Sequence, residues 1–250
     1  MSVASEQRAI PLDFPPVSGP VMKFVRQAVR DFDLISPGDR VAVGMSGGKD
    51  SLLLAAALRE LSLAGDFDFE VQPIHLDQNQ PGFDRAGFDA ALERLGMSCL
   101  VIDKDTYSVV QAMLKPGQIP CALCGRMRRG ILNKFCADNG YNKLALGHHL
   151  DDAVETFFLN LLFGRKLDAL KPATPATGID VVAIRPLILV EERKIEAWVS
   201  AHGLTTVACP VCDSHAESRR RDLKGLVEGF RGLHADVHDS IRAALYSAPQ

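Results

Sequence analysis

The run Ser46-Gly47-Gly48-Lys49-Asp50-Ser51, entered from the apolar stretch Val41-Ala42-Val43-Gly44-Met45, constrains this chain more than any other feature. An apolar strand that enters a double-glycine turn and leaves as a helix presents backbone N–H groups at the positive end of that helix, which makes an anion cradle. Gly47 and Gly48 let the backbone approach a phosphate closely, Ser46 and Ser51 add hydroxyl donors, and Lys49 adds a cation. The run is not a Walker A loop, which requires Gly-Lys-Ser/Thr, because Asp50 follows Lys49 here.

The rest of the chain repeats the same strand-then-helix grammar. Strands are predicted at 40–45, Phe69–Leu76, Cys99–Ile102, Lys143–Leu146 and Asp180–Ile184. Helices are predicted over Val21–Phe32, about Asp50–Leu63, a segment ending near Gly96, Cys121–Asn139 capped by Gly140, and Asp151–Phe163 capped by Gly164, with two or three more at the end. The first helix after the glycine turn is apolar on nearly all sides and is predicted to be well buried. Alternation of this kind predicts an α/β fold, a doubly wound parallel sheet of five strands with short helical extensions at both ends. The expected organisation is an N-terminal arm and helix over 1–36, a nucleotide-binding domain over 37–208, and a C-terminal cysteine run with helices over 209–250.

Ligands in such sheets bind beyond the carboxyl ends of the strands. Ser46–Ser51, His75–Asp77 and Gly147-His148-His149 all fall there, after the first, second and fourth predicted strands. Asp50, in the first turn of its helix, suits a magnesium ion shared with phosphate oxygens; the alternative is a carboxylate placed to favour the helix dipole. Asp151 and Asp152 pose the same choice, one as a simple N-cap and the other as a magnesium or nucleotide ligand.

Composition narrows the setting. The 250 residues carry a net charge of −3, so any nucleic-acid contact must come from local basic patches. Two such groups occur: Arg126, Arg128, Arg129 and Lys134 in one predicted helix, and Arg219–Arg221 with Lys224 near the end. The alternative for each is a solvated helix face. No apolar run reaches the length of a membrane span and the N-terminus lacks the layout of a secretory leader, which predicts a cytoplasmic protein with no membrane partner. In a reducing compartment the six cysteines are expected to be metal-binding, catalytic or buried rather than disulfide-bonded. Cys121-Ala-Leu-Cys124 and Cys209-Pro-Val-Cys212 form two CxxC pairs, which suit a zinc site, a redox or persulfide-carrying dithiol, or an iron–sulfur cluster. Cys99 and Cys136 are expected in the core.

Four blocks carry a family resemblance. Ser46–Ser51 resembles the PP-loop of the ATP pyrophosphatase superfamily, whose members split ATP between its α- and β-phosphates to adenylate a substrate. Leu76-Asp77-Gln78-Asn79-Gln80-Pro81-Gly82-Phe83 resembles a signature of the tRNA 2-thiocytidine synthetase branch. Gly147-His148-His149-Leu150-Asp151-Asp152, with Glu155-Thr156 and Leu159-Asn160-Leu161, and then Ile184-Arg185-Pro186-Leu187, resemble further blocks of that branch. The resemblance spans about Lys23 to Phe230.

It implies an ATP-dependent tRNA sulfurtransferase, an enzyme that adenylates the C2 oxygen of an anticodon-loop cytidine at position 32 and replaces it with sulfur. The implied cofactors are ATP, Mg2+ and a 4Fe-4S cluster held by Cys121, Cys124 and Cys209, with Cys212 as a spare thiol or the third ligand. The implied catalytic residues are Lys49, Asp50, Asp151 and Asp152. The implied nucleotide contacts are Ser46, Gly47, Gly48, Lys49, Asp50, Ser51, His75, Asp77, Gly147 and His148, with magnesium on Asp50. The implied partners are tRNA and a sulfur donor, either a cysteine desulfurase or sulfide, and a homodimer is allowed. Two other readings remain. A tRNA-lysidine synthetase shares the glycine loop and the His-His-Leu-Asp-Asp block, though not the Leu76–Phe83 run or the paired cysteines. A nucleotide-binding scaffold holding zinc is the non-enzymatic reading.

Overall fold

The computed structural model describes residues 14–65, 67–114, 120–207 and 236–246, together with 223, 225, 227, 229, 232 and 234. Helix α1 (Gly19–Asp31) leads into β1 (Asp39–Met45), α2 (Lys49–Leu63), β2 (Phe69–Asp77), α3 (Arg85–Arg94) and β3 (Leu100–Asp103). Helices α4 (Tyr107–Met113) and α5 (Cys121–Asp138) precede β4 (Lys143–Ala145) and α6 (Leu150–Leu159). A π-helical turn over Asn160–Gly164, β5 (Ala173–Pro175), β6 (Val182–Ile184), α7 (Glu192–Ala201) and a helix called α8 here (Val237–Tyr246) follow.

The sheet has six strands in the order β3-β2-β1-β4-β6-β5. All adjacent pairs run parallel except β5 with β6. The fold class is the one expected, with one strand more than the five predicted. The extra strand, β5, lies in a Pro- and Thr-rich stretch with no alternating pattern. It forms because Arg185, just past β6, holds it from the side: its backbone N–H donates to Pro172 O at 2.9 Å, and its guanidinium donates to Lys171 O at 2.6 Å and Thr174 Oγ1 at 3.1 Å.

Two apolar layers cover the sheet. On one side α1, α2, α3 and α7 bury Val25, Leu54, Leu58, Phe88, Ile195 and their neighbours. On the other, α5 packs Leu132 and Cys136 against Ala42, Ile74, Leu76 and Leu144 of the strands. Helix α2 buries residues all round its circumference, as its sequence predicts. Helix α6 departs from expectation at its end. It widens into the π turn at Asn160, and the left-handed residue that stops it is Arg165 (φ 53°) rather than Gly164. No helix among the described residues is long and apolar enough to cross a membrane.

Because β1 is flanked by β2 on one side and β4 on the other, the chain leaves β1 in opposite directions across the sheet. That switch point opens a crevice beyond the carboxyl ends of the central strands.

Candidate active site

A cavity of about 290 Å³ fills that crevice. Its walls come from the end of β1 with the glycine loop (Ser46, Asp50, Ser51), the end of β2 with the following loop (His75, Asp77, Gln78), the turn after β4 (Gly147, His148) and α6 (Asp152). Strand-end residues therefore converge as the parallel topology requires. The cavity has a further wall that no strand supplies: Arg128 and Leu132 of α5.

The glycine loop is locked by its own hydroxyls. Ser51 Oγ accepts from Ser46 N at 3.2 Å and donates to Gly48 O at 2.9 Å, while Ser46 Oγ accepts from Gly48 N at 3.3 Å. Ser51 is buried, so its hydroxyl shapes the loop. Gly47 sits at φ +83°, in the region that favours glycine, and an added Cβ would lie 3.0 Å from Val207 Cβ. Gly147 is required by closeness instead: its Cβ would lie 3.0 Å from the backbone carbon of Asp50 and 3.1 Å from Ser51 N. The turn after β4 is thus pressed onto the first turn of α2, whose leading amides lack intrahelical partners by construction. A cradle built at this spacing fits a nucleotide phosphate chain at a helix N-terminus.

Lys49 Nζ lies 2.9 Å from Glu192 Oε1 and 3.2 Å from Asp50 Oδ1. Burial would lower the ammonium pKa, but the two carboxylates outweigh it and hold the group above its ordinary range, so Lys49 stays charged. Asp50 shows the opposite balance. Desolvation raises its pKa against the pull of His149 and Lys49, and its buried Oδ1 makes no hydrogen bond. An under-solvated carboxylate facing a phosphate cradle is a fitting magnesium ligand, since magnesium takes one or two carboxylates along with substrate phosphates. Asp152 lines the same cavity.

The two acidic residues opening α6 have separated duties. Asp152 Oδ2 accepts from His149 N at 3.0 Å, capping the helix from within the cavity wall. Asp151 is not among the lining residues. Its carboxylate accepts from Glu192 N at 2.7 Å and stands 3.2 Å from His238 Nε2 of α8. Burial would raise its pKa, but these partners together with His149 hold it far below the usual carboxylate range. Asp151 therefore ties the starts of α6 and α7 to α8 behind the cavity. His149, buried, stands 3.5–3.7 Å from Asp50, Asp151 and Asp152; their charges overcome its desolvation and raise its pKa.

His75 Nδ1 donates to Met45 O at 2.9 Å, which leaves Nε2 as an acceptor in the neutral ring. The ring stacks on Phe83 at 5.1 Å and tilts over Phe88 at 4.5 Å. Asp77 Oδ1 accepts from Asn79 N at 3.0 Å, shaping the loop that carries Gln78 and Gln80 into the cavity.

Cys124 sits one turn into α5, and its Sγ donates to Gln78 Oε1 at 3.2 Å. A soft thiol thereby touches a residue that lines the cavity. Cys121 opens the same helix, three positions earlier. Cys209 and Cys212, with Arg219–Arg221 and Lys224, lie outside the described residues. Among the described residues no group of three His, Cys, Asp or Glu side chains is disposed to hold a metal ion. Thiols in two CxxC pairs are donors for zinc or an iron–sulfur cluster rather than for magnesium, so the cysteine set fits the cluster in kind. Cys99 and Cys136 stand apart from the cavity, and burial pushes both thiols up to about 12.

Several contributors escaped the sequence. Glu192 pairs with Lys49 from the far side of the chain, and Thr106 binds Gln78, with no local pattern to announce either. Leu146 lines the cavity as the residue before Gly147. Arg128, read from sequence as part of a basic patch, lines the cavity; it lies four residues after Cys124, which is one helical turn.

Residues 21–214 match the PP-loop domain family. The tRNA-cytidine(32) 2-sulfurtransferase of Methylococcus capsulatus is 36% identical over 219 residues, covering 88% of this chain and 76% of that protein. The enzyme of the same name from Bdellovibrio bacteriovorus is 36% identical over 230 residues, covering 92% and 88%. Among solved structures, the U34-tRNA thiolase NcsA of Methanococcus maripaludis, determined with its 4Fe-4S cluster, superposes with a TM-score of 0.68 at 24% identity, covering 89% of this chain and 76% of that one. That last likeness speaks for the fold. With its cradle, its sheet and these relatives in agreement, the chain belongs to the PP-loop family and, within it, to the tRNA-cytidine(32) 2-sulfurtransferases.

Proposed function

We propose that this chain thiolates tRNA, converting cytidine 32 to 2-thiocytidine at the expense of ATP. The observation that carries this reading is the contact between Cys124 Sγ and Gln78, which puts a sulfur-site cysteine against the wall of the nucleotide cavity. Family membership supports the substrate and the target nucleoside.

The chemistry divides into two displacements. Ser46–Ser51 and the first turn of α2 cradle the phosphates of ATP, with Asp50 and Asp152 as the carboxylates for Mg2+. The C2 oxygen of the cytidine attacks the α-phosphorus and pyrophosphate leaves. Lys49, kept charged by Asp50 and Glu192, offsets the charge that develops on the transferring and leaving phosphates. The oxygen now leaves readily as AMP, and sulfide takes its place at C2; where a cysteine desulfurase is the donor, its persulfide sulfur reaches the sulfide level by a two-electron reduction with an external thiol. Cys121, Cys124 and Cys209 would hold a 4Fe-4S cluster, which when bound supplies an open iron site for sulfur. Arg128, on the cavity wall one turn from Cys124, supplies a cation where AMP and the pyrimidine must meet. The base has to leave its stack to reach this chamber. Tyr246 and His238 hold α8 against Leu170 and Asp151, closing the structure behind the catalytic face. We propose a homodimer as the assembly; the exposed Leu162 and Leu167 offer apolar surface for it, and light scattering checks it.

Separate replacement of Cys121, Cys124 and Cys209 by Ser tests the reading. Each variant is expected to bind ATP as the parent does and to form no 2-thiocytidine. Thiolation retained in all three overturns the sulfur-site assignment.

A further inference from the structure

Gln78 sits where the two halves of the site meet. Its side chain lines the nucleotide cavity and the residue is only 9% exposed. Its Oε1 accepts two hydrogen bonds, from Thr106 Oγ1 at 3.0 Å and from Cys124 Sγ at 3.2 Å. The backbone is fixed as well, because Gln78 O accepts from Tyr107 N at 3.2 Å. Thr106, 1% exposed, is the N-cap residue of α4. The side chain is thus held on a rigid stem between a hydroxyl and a thiol.

This arrangement suits a protonated thiol and no other state of the sulfur. A metal-bound sulfur has given up its proton to solvent and can only accept. An amide oxygen facing it would oppose one lone pair to another in a buried place. The amide group resolves this conflict without moving its stem. Turned by half a revolution about its last bond, it puts Nε2 where Oε1 was, and Nε2 carries two N–H donors. One then faces Cys124 Sγ; the other faces Thr106 Oγ1, a hydroxyl that accepts as readily as it donates. Both orientations satisfy Thr106 and Cys124, one with the thiol and one with the ligated sulfur.

We propose that Gln78 is a positioning residue for the sulfur site, turning its amide on metal ligation to donate an N–H···S hydrogen bond to Cys124 from the wall of the nucleotide cavity. The proposal rests on the cysteine assignment made above. Hydrogen bonds to ligand sulfur favour the more negative, reduced form of a cluster and so raise its potential. Partners of this kind also hold the ligand in place, and their loss costs about 10- to 100-fold in metal affinity.

Gln78→Glu separates this role from a merely structural one. A carboxylate accepts from Thr106 and from the thiol as the amide does, but has no N–H to give. The probe is Co(II) added anaerobically to the full chain and read by its sulfur-to-cobalt absorption, with Cys124→Ser as the control that loses the band. The expected result for Gln78→Glu is a metal-free melting temperature near that of the parent and Co(II) affinity about 10- to 100-fold weaker. After iron–sulfur reconstitution its midpoint potential is expected to be more negative. Affinity and potential equal to the parent's overturn the proposal. Thr106→Val removes the hydroxyl that the turned amide needs and provides a second variant should the first not fold; it is expected to weaken Co(II) binding several-fold, and unchanged binding again overturns the proposal. If the parent chain itself shows no sulfur-to-cobalt band, the cysteine assignment fails and takes this inference with it; a normal parent with an unaffected Gln78→Glu refutes the Gln78 role alone.

Discussion

The backbone N–H of Val207 donates to the carbonyl oxygen of Gly47 at 2.9 Å. This bond fastens the chain to the glycine loop two residues before Cys209, so the segment leading to the second cysteine pair is anchored on the phosphate cradle itself. Val207 also fills the space a side chain at position 47 would need.

Gly47→Ala is therefore expected to cost about 1–2 kcal/mol from its left-handed backbone alone. In a chain of this size that lowers the melting temperature by about 2–8 °C. Gly48→Ala is the matched control: its φ is −74°, and an added Cβ meets only Ser46 Oγ at 3.4 Å, so its melting temperature should stay near the parent's. Equal losses at the two positions would contradict the geometry assigned to the loop.

Lys49→Met should reduce pyrophosphate formation by about 10²- to 10³-fold, the usual effect of removing one preorganised charge-stabilising group. Iron content of the reconstituted variant should match the parent's, because the lysine contacts Asp50 and Glu192 and no cysteine. A steady-state pyrophosphate assay alongside iron analysis reads both.

Much of this architecture is legible in the sequence, and the failures have physical causes. An apolar run into Gly47-Gly48 and out through the uniformly apolar 52–58 segment can hardly be anything but a buried strand, loop and helix. Once the strands are placed, the carboxyl-end rule gathers His75, Asp77, Gly147 and the glycine loop with no further information. Helix α4 is not legible, because only Val110 of its seven residues is buried and so no periodicity appears. Strand β5 depends on Arg185 reaching back to it, and the π turn at Asn160 leaves no mark in residue spacing. Lys49 with Glu192, and Gln78 with Thr106 and Cys124, are contacts between distant segments whose individual residues look ordinary. Sequence left the choice between Asp151 and Asp152 open; in the structure Asp152 both caps α6 and lines the cavity, while Asp151 is buried against Glu192 N and His238.

His75 carries a pH signature. Burial lowers its pKa below the usual imidazole value, and the hydrogen bond to Met45 O only partly offsets this. The folded state thus favours the neutral ring, so the contribution to stability is complete above about 6.5 and is lost as the pH falls through and below that value. His75→Phe keeps the stacking on Phe83 and Phe88 while removing the titration. Denaturant melts of the two ligand-free proteins between pH 8 and pH 5 should show the parent losing more stability than the variant on acidification. Parallel pH profiles would refute the assignment.

The cysteines should divide cleanly by reactivity. With thiols pushed up to about 12 by burial, Cys99 and Cys136 are expected to resist alkylation at pH 8, as thiolate is the reacting form. Mass spectrometry of the metal-free protein after brief iodoacetamide treatment should find label on Cys124 ahead of either. Cys99→Ala should leave thiolation intact, in contrast to Cys124→Ser. Preferential labelling of Cys99 or Cys136 would overturn the division between core and sulfur-site cysteines.

Nucleoside mass spectrometry of tRNA decides whether the protein thiolates cytidine 32. The anaerobically reconstituted protein is incubated with ATP, Mg2+, sulfide and tRNA lacking the modification, and the digest is read for 2-thiocytidine together with the AMP and pyrophosphate released. The expected product is 2-thiocytidine at position 32, formed only with ATP and with one AMP and one pyrophosphate for each sulfur incorporated. ATP cleavage with no thionucleoside, from protein that has retained its iron, would contradict it.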